Sequence, residues 1–214
     1  MTTAKLNSIV QSLAINRPFF YSEADFQHSL ALELERQGYN VYLEYPINGE
    51  HIDIIIEKDG WYYPIELKYK TKAFSCPGLF GTTCPLKNQH ARDLGRYDYW
   101  KDVRRIEDLK IALNKIKEGY AIILTNDSEY WTAPTKATID SNFKIHPGMC
   151  VQNVFWNNVP AKAKNNPNYV IKSSTYYGFS LSKQYLVSNW IDYSTMKDSV
   201  TNELHTFKFL TISI

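Results

Sequence analysis

Two apolar runs meet at Asp59-Gly60 in the stretch HIDIIIEKDGWYYPIELKYK, His51 to Lys70, and no other feature constrains the fold as much. Asp-Gly is a favoured two-residue hairpin turn because both positions need positive φ. A hairpin closed there opposes Lys58 to Trp61, Ile56 to Tyr63, Ile55 to Pro64, Asp53 to Glu66 and His51 to Lys68. Directly opposed residues share a face of the sheet. Glu66 and Lys68 share that face because strand side chains alternate. Ile65, Leu67 and Tyr69 take the other face of the second arm, and Ile52, Ile54 and Ile56 the other face of the first. Both arms therefore read as strands buried on two sides, as in the centre of a layered sheet.

The charges are the difficulty. Two carboxylates directly opposed destabilise a sheet, and their repulsion raises at least one pKa. A Glu66–Lys68 ion pair would ease part of this but leaves Asp53 unexplained inside an isoleucine run. A divalent cation between the acids removes the penalty, and hard oxygen ligands with room for water suit Mg²⁺ or Mn²⁺. A lysine beside them can stabilise developing negative charge.

The flanking segments supply the layers. YSEADFQHSLALELERQGYN reads as a helix, with Ser22 as cap, Asp25 at the reciprocal capping position and Gly38 after the end. Its apolar stripe includes Leu30 and Leu34; helical steps back from Leu30 reach Gln27 and Glu23. Glu23 could thus aim at the same cation, or be a favourable first-turn acid. VYLEYPI reads as a strand and LNSIVQSLAI as a short opening helix. TKAFSCPGLFGTTCPLK reads as a long loop. NQHARDLGRYDYWKDVRRIEDLKIALNKIKEG reads as a long helix bent at Gly95, with a stripe of Ile106, Leu109, Leu113 and Ile116. One turn before Ile106, Asp102 should be partly buried and paired; Tyr97, Tyr99 and Trp100 read as packing. YAIILTND and the closing TFKFLTISI read as strands. The order is helix, three strands, helix, strand, then an elaboration: an α/β layer arrangement. One domain spans 1–214, with a core over about 15–127 and the elaboration over about 128–214.

The 214 residues are 44% hydrophobic and 14% aromatic, a globular profile. No run approaches the roughly 18 apolar residues of a membrane span, and MTTAKLNSIVQSLAINRP lacks the pattern of a secretory leader. A cytoplasmic protein with no membrane association is expected. Three cysteines fit a reducing compartment; Cys76, Cys84 and His90 do not match zinc spacing. The net charge of +2 is uneven: roughly −5 over 1–65, +6 over 66–117 and +1 beyond. A basic middle segment suggests a local anionic partner such as a phosphate backbone, or simply a solvated helix.

Asp53 within IDIII, Glu66-Leu67-Lys68 as E-x-K one hairpin later, and the capped helix before them resemble the PD-(D/E)XK phosphodiesterase superfamily, the restriction-endonuclease-like nucleases. The resemblance covers roughly Ser22 to Asn126. Ile52 stands where many members have proline. The resemblance implies a restriction-endonuclease-like core, with metal held by Asp53, Glu66 and the Leu67 carbonyl, and Glu23 as the helical acid of many members. It also implies that Lys68 orients or activates the attacking water and that Gln89 reaches the site edge. Lys70, Lys72, Arg92, Arg96, Arg104 and Arg105 are candidate phosphate contacts.

The resulting expectation is a Mg²⁺- or Mn²⁺-dependent nuclease with Asp53, Glu66, Lys68, Glu23 and Gln27 at its centre, cutting DNA in preference to RNA. The alternatives are a non-cleaving nucleic-acid-binding protein on the same fold, and a protein-interaction subunit whose working surface is WNNVPAKAKNNPNYVIKSSTYYGFSL. A homodimer or a protein partner would suit either reading.

Overall fold

The computed structural model describes residues 1–47, 49–157 and 176–214. Most of the proposed partner surface, residues 158–175, lies outside the described residues. Helix α1, Thr3–Leu13, buries Leu6, Ile9, Val10 and Leu13 at helical spacing. Helix α2, Glu23–Arg36, starts where expected. Ser22 Oγ accepts the Asp25 N–H at 3.1 Å, while Asp25 Oδ2 accepts the Tyr21 N–H at 2.9 Å rather than closing a reciprocal box on Ser22. Gly38, at φ 81, follows its end.

Strands β1 (Asn40–Ile47), β2 (Glu50–Lys58) and β3 (Trp61–Lys70) form an antiparallel meander. The β2–β3 register is the expected one from Lys58–Trp61 through Ile56–Tyr63 and Ile55–Pro64 to Ile54–Ile65. The expected pairs Asp53–Glu66 and His51–Lys68 do not form, because the ladder ends at Ile54–Ile65. Asp59 and Gly60 take φ values of 55 and 77 at the turn. Helix α3, Arg92–Ala112, then crosses over to β6, Tyr120–Thr125, which runs parallel to β3 and is buried at all six residues. The last strand, β10 (Leu204–Ser213), lies antiparallel to β6, with β9 (Ile191–Lys197) beyond it. The mixed six-stranded sheet has the order β1-β2-β3-β6-β10-β9. The fold is thus mixed α/β.

Both faces of the sheet are covered. Phe26, Leu30 and Leu34 of α2 pack with α1 against Ile54, Ile56, Ile65 and Leu67. Tyr99, Trp100, Val103 and Ile106 of α3 pack against Ala121, Ile123, Leu210 and Ile212. The elaboration therefore divides. β9 and β10 widen the central sheet, whereas β7 (Cys150–Val154) and β8 (Phe179–Leu186) join the α3 core through Val151, Val154, Leu181 and Tyr185. Among the described residues no helix is long and apolar enough to cross a membrane.

Four further expectations need correction. The segment after β3 is not a loop but a hairpin, β4 (Phe74–Pro77) and β5 (Thr83–Leu86), because Phe74, Cys76 and Leu86 alternate inward and are buried. Helix α3 ends at Ala112. Leu113 turns extended and exposed, and Ile116 forms a bridge to Tyr62 instead of a further helical turn. α3 also runs unbroken through Gly95, where an added Cβ would lie 2.4 Å from Tyr130 Oη. This glycine serves close packing, not a bend. Finally, Ile52 does not share a face with Ile54 and Ile56. It packs with Ile55 and Leu109, while Ile54 and Ile56 face α1 and α2. The alternation breaks between Ile52 and Ile54, at Asp53.

Replacing a helical glycine by alanine ordinarily stabilises by up to ~1 kcal/mol. Here overpacking against buried Tyr130 dominates, so Gly95→Ala should lose ~1–3 kcal/mol in urea denaturation.

Candidate functional site

The break at Asp53 makes the site. The β2–β3 ladder ends at Ile54–Ile65. On the other side, the β1–β2 ladder pairs Leu43 with Ile54 and Tyr45 with Ile52 but passes over Glu44, whose φ is 47. From Glu66 onward β3 keeps β6 on one edge and loses β2 from the other. Backbone N–H groups in a buried strand need partners. Side chains supply them: Asp53 Oδ2 accepts the Leu67 N–H at 2.7 Å, and Glu23 Oε2 accepts the Tyr69 N–H at 2.7 Å. Gln27 Nε2 donates to the Asp53 carbonyl at 2.7 Å and to Glu44 Oε1 at 2.6 Å, joining α2 to the broken strand. The Leu67 carbonyl is reached by Lys68 Nζ at 3.2 Å.

Helix α3 closes the site from the opposite face. Glu66 is only 1% exposed, and its Oε1 accepts from Arg105 Nη1 at 2.6 Å. Arg105 also meets Glu50 through Nε at 2.7 Å and Asp102 through Nη2 at 3.3 Å. Lys68 Nζ lies 2.7 Å from Asp102 Oδ2, and Asp102 is 2% exposed. The structure therefore brings Glu23, Gln27, Asp53, Glu66, Leu67 and Lys68 together, from α2, β2 and β3.

The charges are strongly perturbed. Burial, then Asp102 and Asp53, push the Glu66 carboxyl up to about 9, against the pull of Arg105 and Lys68. Burial raises Asp102 to about 6 despite Lys68 and Arg105. Burial disfavours the Lys68 ammonium, but contact with Asp102, reinforced by Glu23 and Asp53, outweighs it and holds the pKa above the ordinary lysine value. Lys68 is therefore a fixed positive charge.

The expected phosphate contacts divide. Lys70 and Gln89 line, with His90 and Asp98, a depression of about 300 Å³. Lys72 is exposed, its backbone tied to Asn126 Oδ1 at 2.8 Å. Arg92 is half-buried and pairs with Asp127 and, at 3.3 Å, with Glu129. Arg96 is a correction: it is 3% exposed, bonded to Asp140 at 2.7 Å and to the Glu129 carbonyl at 2.6 Å. Its guanidinium is spent inside the fold. Arg105 likewise turns to carboxylates, and Arg104 pairs with Asp108 at 2.9 Å. Tyr97, Tyr99 and Trp100 are buried, as expected of packing residues.

Sequence reasoning placed Asp102 as a buried, paired residue but missed its partner, Lys68. It also missed Arg105 as the counter-charge of Glu66. The spacing of Asp102 and Arg105 before Ile106 was the only signal, and it does not say which strand the helix face meets. Cys76 and Cys84 are free thiols, with Cys76 Sγ donating to the Cys84 carbonyl at 2.8 Å. Among the described residues, no three or more His, Cys, Asp or Glu side chains gather closely enough to hold a metal ion. No family model, curated protein or solved structure matches this chain.

Asp102→Ala leaves Lys68 buried without its partner and should cost about 3–5 kcal/mol in chemical denaturation. Adding Lys68→Met should recover a large part of that loss, the signature of a direct pair.

An acid whose pKa is raised in the folded state stabilises fully below its unfolded value, and that contribution is lost as pH rises through the folded value. In EDTA, stability should therefore fall from about pH 5 towards pH 9 with a component from Glu66. Glu66→Gln should flatten that decline, read as the urea midpoint against pH.

Proposed function

We propose that this chain is a divalent-metal-dependent nuclease that hydrolyses phosphodiester bonds, with DNA its preferred substrate. The observation that carries the reading is the junction where β2 leaves β3. There Asp53 and Glu23 accept the Leu67 and Tyr69 N–H groups and Lys68 Nζ reaches the Leu67 carbonyl, while Glu66 beside them turns its carboxylate to Arg105. The order α2, β1, β2, β3, then the β4–β5 hairpin, α3 and β6 supports this reading, since the E-x-K resemblance implies helix, three strands, helix, strand.

The donor set fits the proposed ion. Asp53, Glu66 and the Leu67 carbonyl offer hard oxygens, and Mg²⁺ typically takes one or two carboxylates and keeps several waters. A full protein cage is not needed, which is compatible with the lack of a three-acid cluster among the described residues. Glu66 is raised first by its burial and then by the neighbouring Asp102 and Asp53. When bound, Mg²⁺ or Mn²⁺ supplies a more acidic water and a Lewis acid for the phosphoryl oxygens.

The chain's own groups do the rest. In the hydrolysis, a water oxygen bonds to phosphorus and releases a proton to solvent, the bond to the leaving oxygen breaks, and that oxygen takes up a proton from solvent. Lys68 is held protonated by Asp102, so it serves as a donor to the attacking oxygen or the charged phosphoryl group rather than as a base. Glu23 and Gln27 fix the broken edge by their bonds to the Tyr69 N–H and the Asp53 carbonyl. Asp102 positions Lys68, and Arg105 balances Glu66.

A second reading, a non-cleaving nucleic-acid-binding protein on the same fold, draws on one observation: Glu66 is already paired with Arg105. One experiment separates the two. Incubated with plasmid, linear DNA and RNA in Mg²⁺ or Mn²⁺, the wild type should cut DNA. Asp53→Ala and Lys68→Ala should each lose at least about 100-fold in rate. Binding without cleavage by wild type and variants alike would favour the second reading and overturn the first.

A further inference from the structure

The β4–β5 hairpin leaves directly from the strand that carries Glu66 and Lys68. Its feet are firmly anchored. Phe74, Cys76 and Leu86 are buried in the core shared with α1 and α2. The Ser75 N–H donates to Asp198 Oδ2 at 2.6 Å, and the Ser75 carbonyl accepts the Ser199 N–H at 2.8 Å. The Gln89 N–H donates to the Thr71 carbonyl at 2.8 Å and closes the neck.

The tip is the opposite. Leu79 is 68% exposed and Phe80 is 100% exposed, with Phe80 in a left-handed backbone conformation, φ 59, that a bulky residue seldom adopts. An aromatic ring in full contact with water contributes nothing to burial, yet it is carried on a stalk whose base is rigidly held. Arms of four residues place it about 13 Å beyond the feet.

Charge says what the tip meets. From Leu67 to Arg92 the chain has no Asp or Glu; Lys68 and Arg92 pair with Asp102 and Asp127, and Lys70, Lys72 and Lys87 carry the remaining positive charge. Lys70 follows Lys68 by one strand repeat and lines the depression with Gln89 and His90. Lys72 and Lys87 are exposed and stand at the two feet of the hairpin. Lys70, in the depression that Asp98 also lines, and the exposed Lys72 and Lys87 thus lead to an apolar tip.

We propose that this hairpin is a nucleic-acid clamp: Lys72 and Lys87 hold phosphates, and Phe80, backed by Leu79, stacks on a base of the bound strand. The assignment rests on the nuclease reading for its choice of ligand. Every base has a π-face, so the contact tolerates any sequence, and the lysines supply salt-dependent affinity.

The test uses the full chain in EDTA, where the nuclease reading predicts binding without cleavage. Single- and double-stranded DNA probes carrying 2-aminopurine report affinity by anisotropy and stacking by fluorescence. Phe80→Ala should weaken binding roughly tenfold and lose the 2-aminopurine response. Phe80→Trp should keep both. Because Phe80 packs on nothing, thermal melting should not change. Lys72→Ala and Lys87→Ala should each lower the salt slope by about one.

If Phe80→Ala binds as the wild type does, with the same fluorescence response, the clamp is overturned. It also falls if the wild type binds neither DNA nor RNA, or if Phe80→Ala changes only self-association in sedimentation. A chain that binds through Phe80 but cuts nothing in Mg²⁺ would keep the clamp and reject the nuclease.

Discussion

Everything at the centre of this protein depends on the bond from the Leu67 N–H to the Asp53 carboxylate. A strand buried between two helical layers must satisfy its backbone donors, and β3 loses its β2 neighbour after Ile65. Asp53 answers for Leu67 and Glu23 for Tyr69, both at 2.7 Å. The carboxylates are therefore drawn to the edge of the sheet by an obligation of the backbone. The same break turns Ile52 towards Leu109 and leaves Ile54 facing α2. A local departure from strand alternation thus both opens the sheet and fills the opening with acids.

Helix α3 then sets the electrostatics. Asp102 and Arg105 lie on one turn and reach the two charged members of E-x-K, Lys68 and Glu66. Buried charge is tolerated when paired and bonded, and this quartet is largely so. The balance is still negative locally, since Asp53, Glu23, Glu44 and Glu50 border it. Glu66 is pushed towards its neutral form first by burial and then by Asp102 and Asp53. Against the cost of burial, Asp102 holds Lys68 in its charged form, with Glu23 and Asp53 adding to it, which restricts the chemistry available to it.

Much of the fold was legible beforehand. The Asp59-Gly60 turn predicted the β2–β3 register from Lys58–Trp61 to Ile54–Ile65, because a two-residue turn fixes the pairing beside it, but not that the strands part before Asp53 could pair with Glu66. Ser22 marked the start of α2, and the period of Leu30 and Leu34 pointed back to Gln27 and Glu23. Other elements were not legible. The β4–β5 hairpin was hidden because proline and glycine crowd its short arms. Gly95 was misread because its reason is Tyr130, 35 positions away. Arg96 looked like a phosphate contact because its partner, Asp140, lies in a segment without periodicity.

The sequence by itself determined that Asp53 would lie on the strand next to the one carrying Glu66 and Lys68, since one tight turn joins the two strands. It also determined that Glu23 would lie at the start of the helix packed nearby. Only the tertiary structure decided that β2 would part from β3 at that point, that Asp102 would take Lys68, and that Arg105 would take Glu66. Those contacts join residues some 34 to 39 positions apart across different layers. Local spacing governs which face a side chain occupies, while the partner it meets there depends on how whole elements pack.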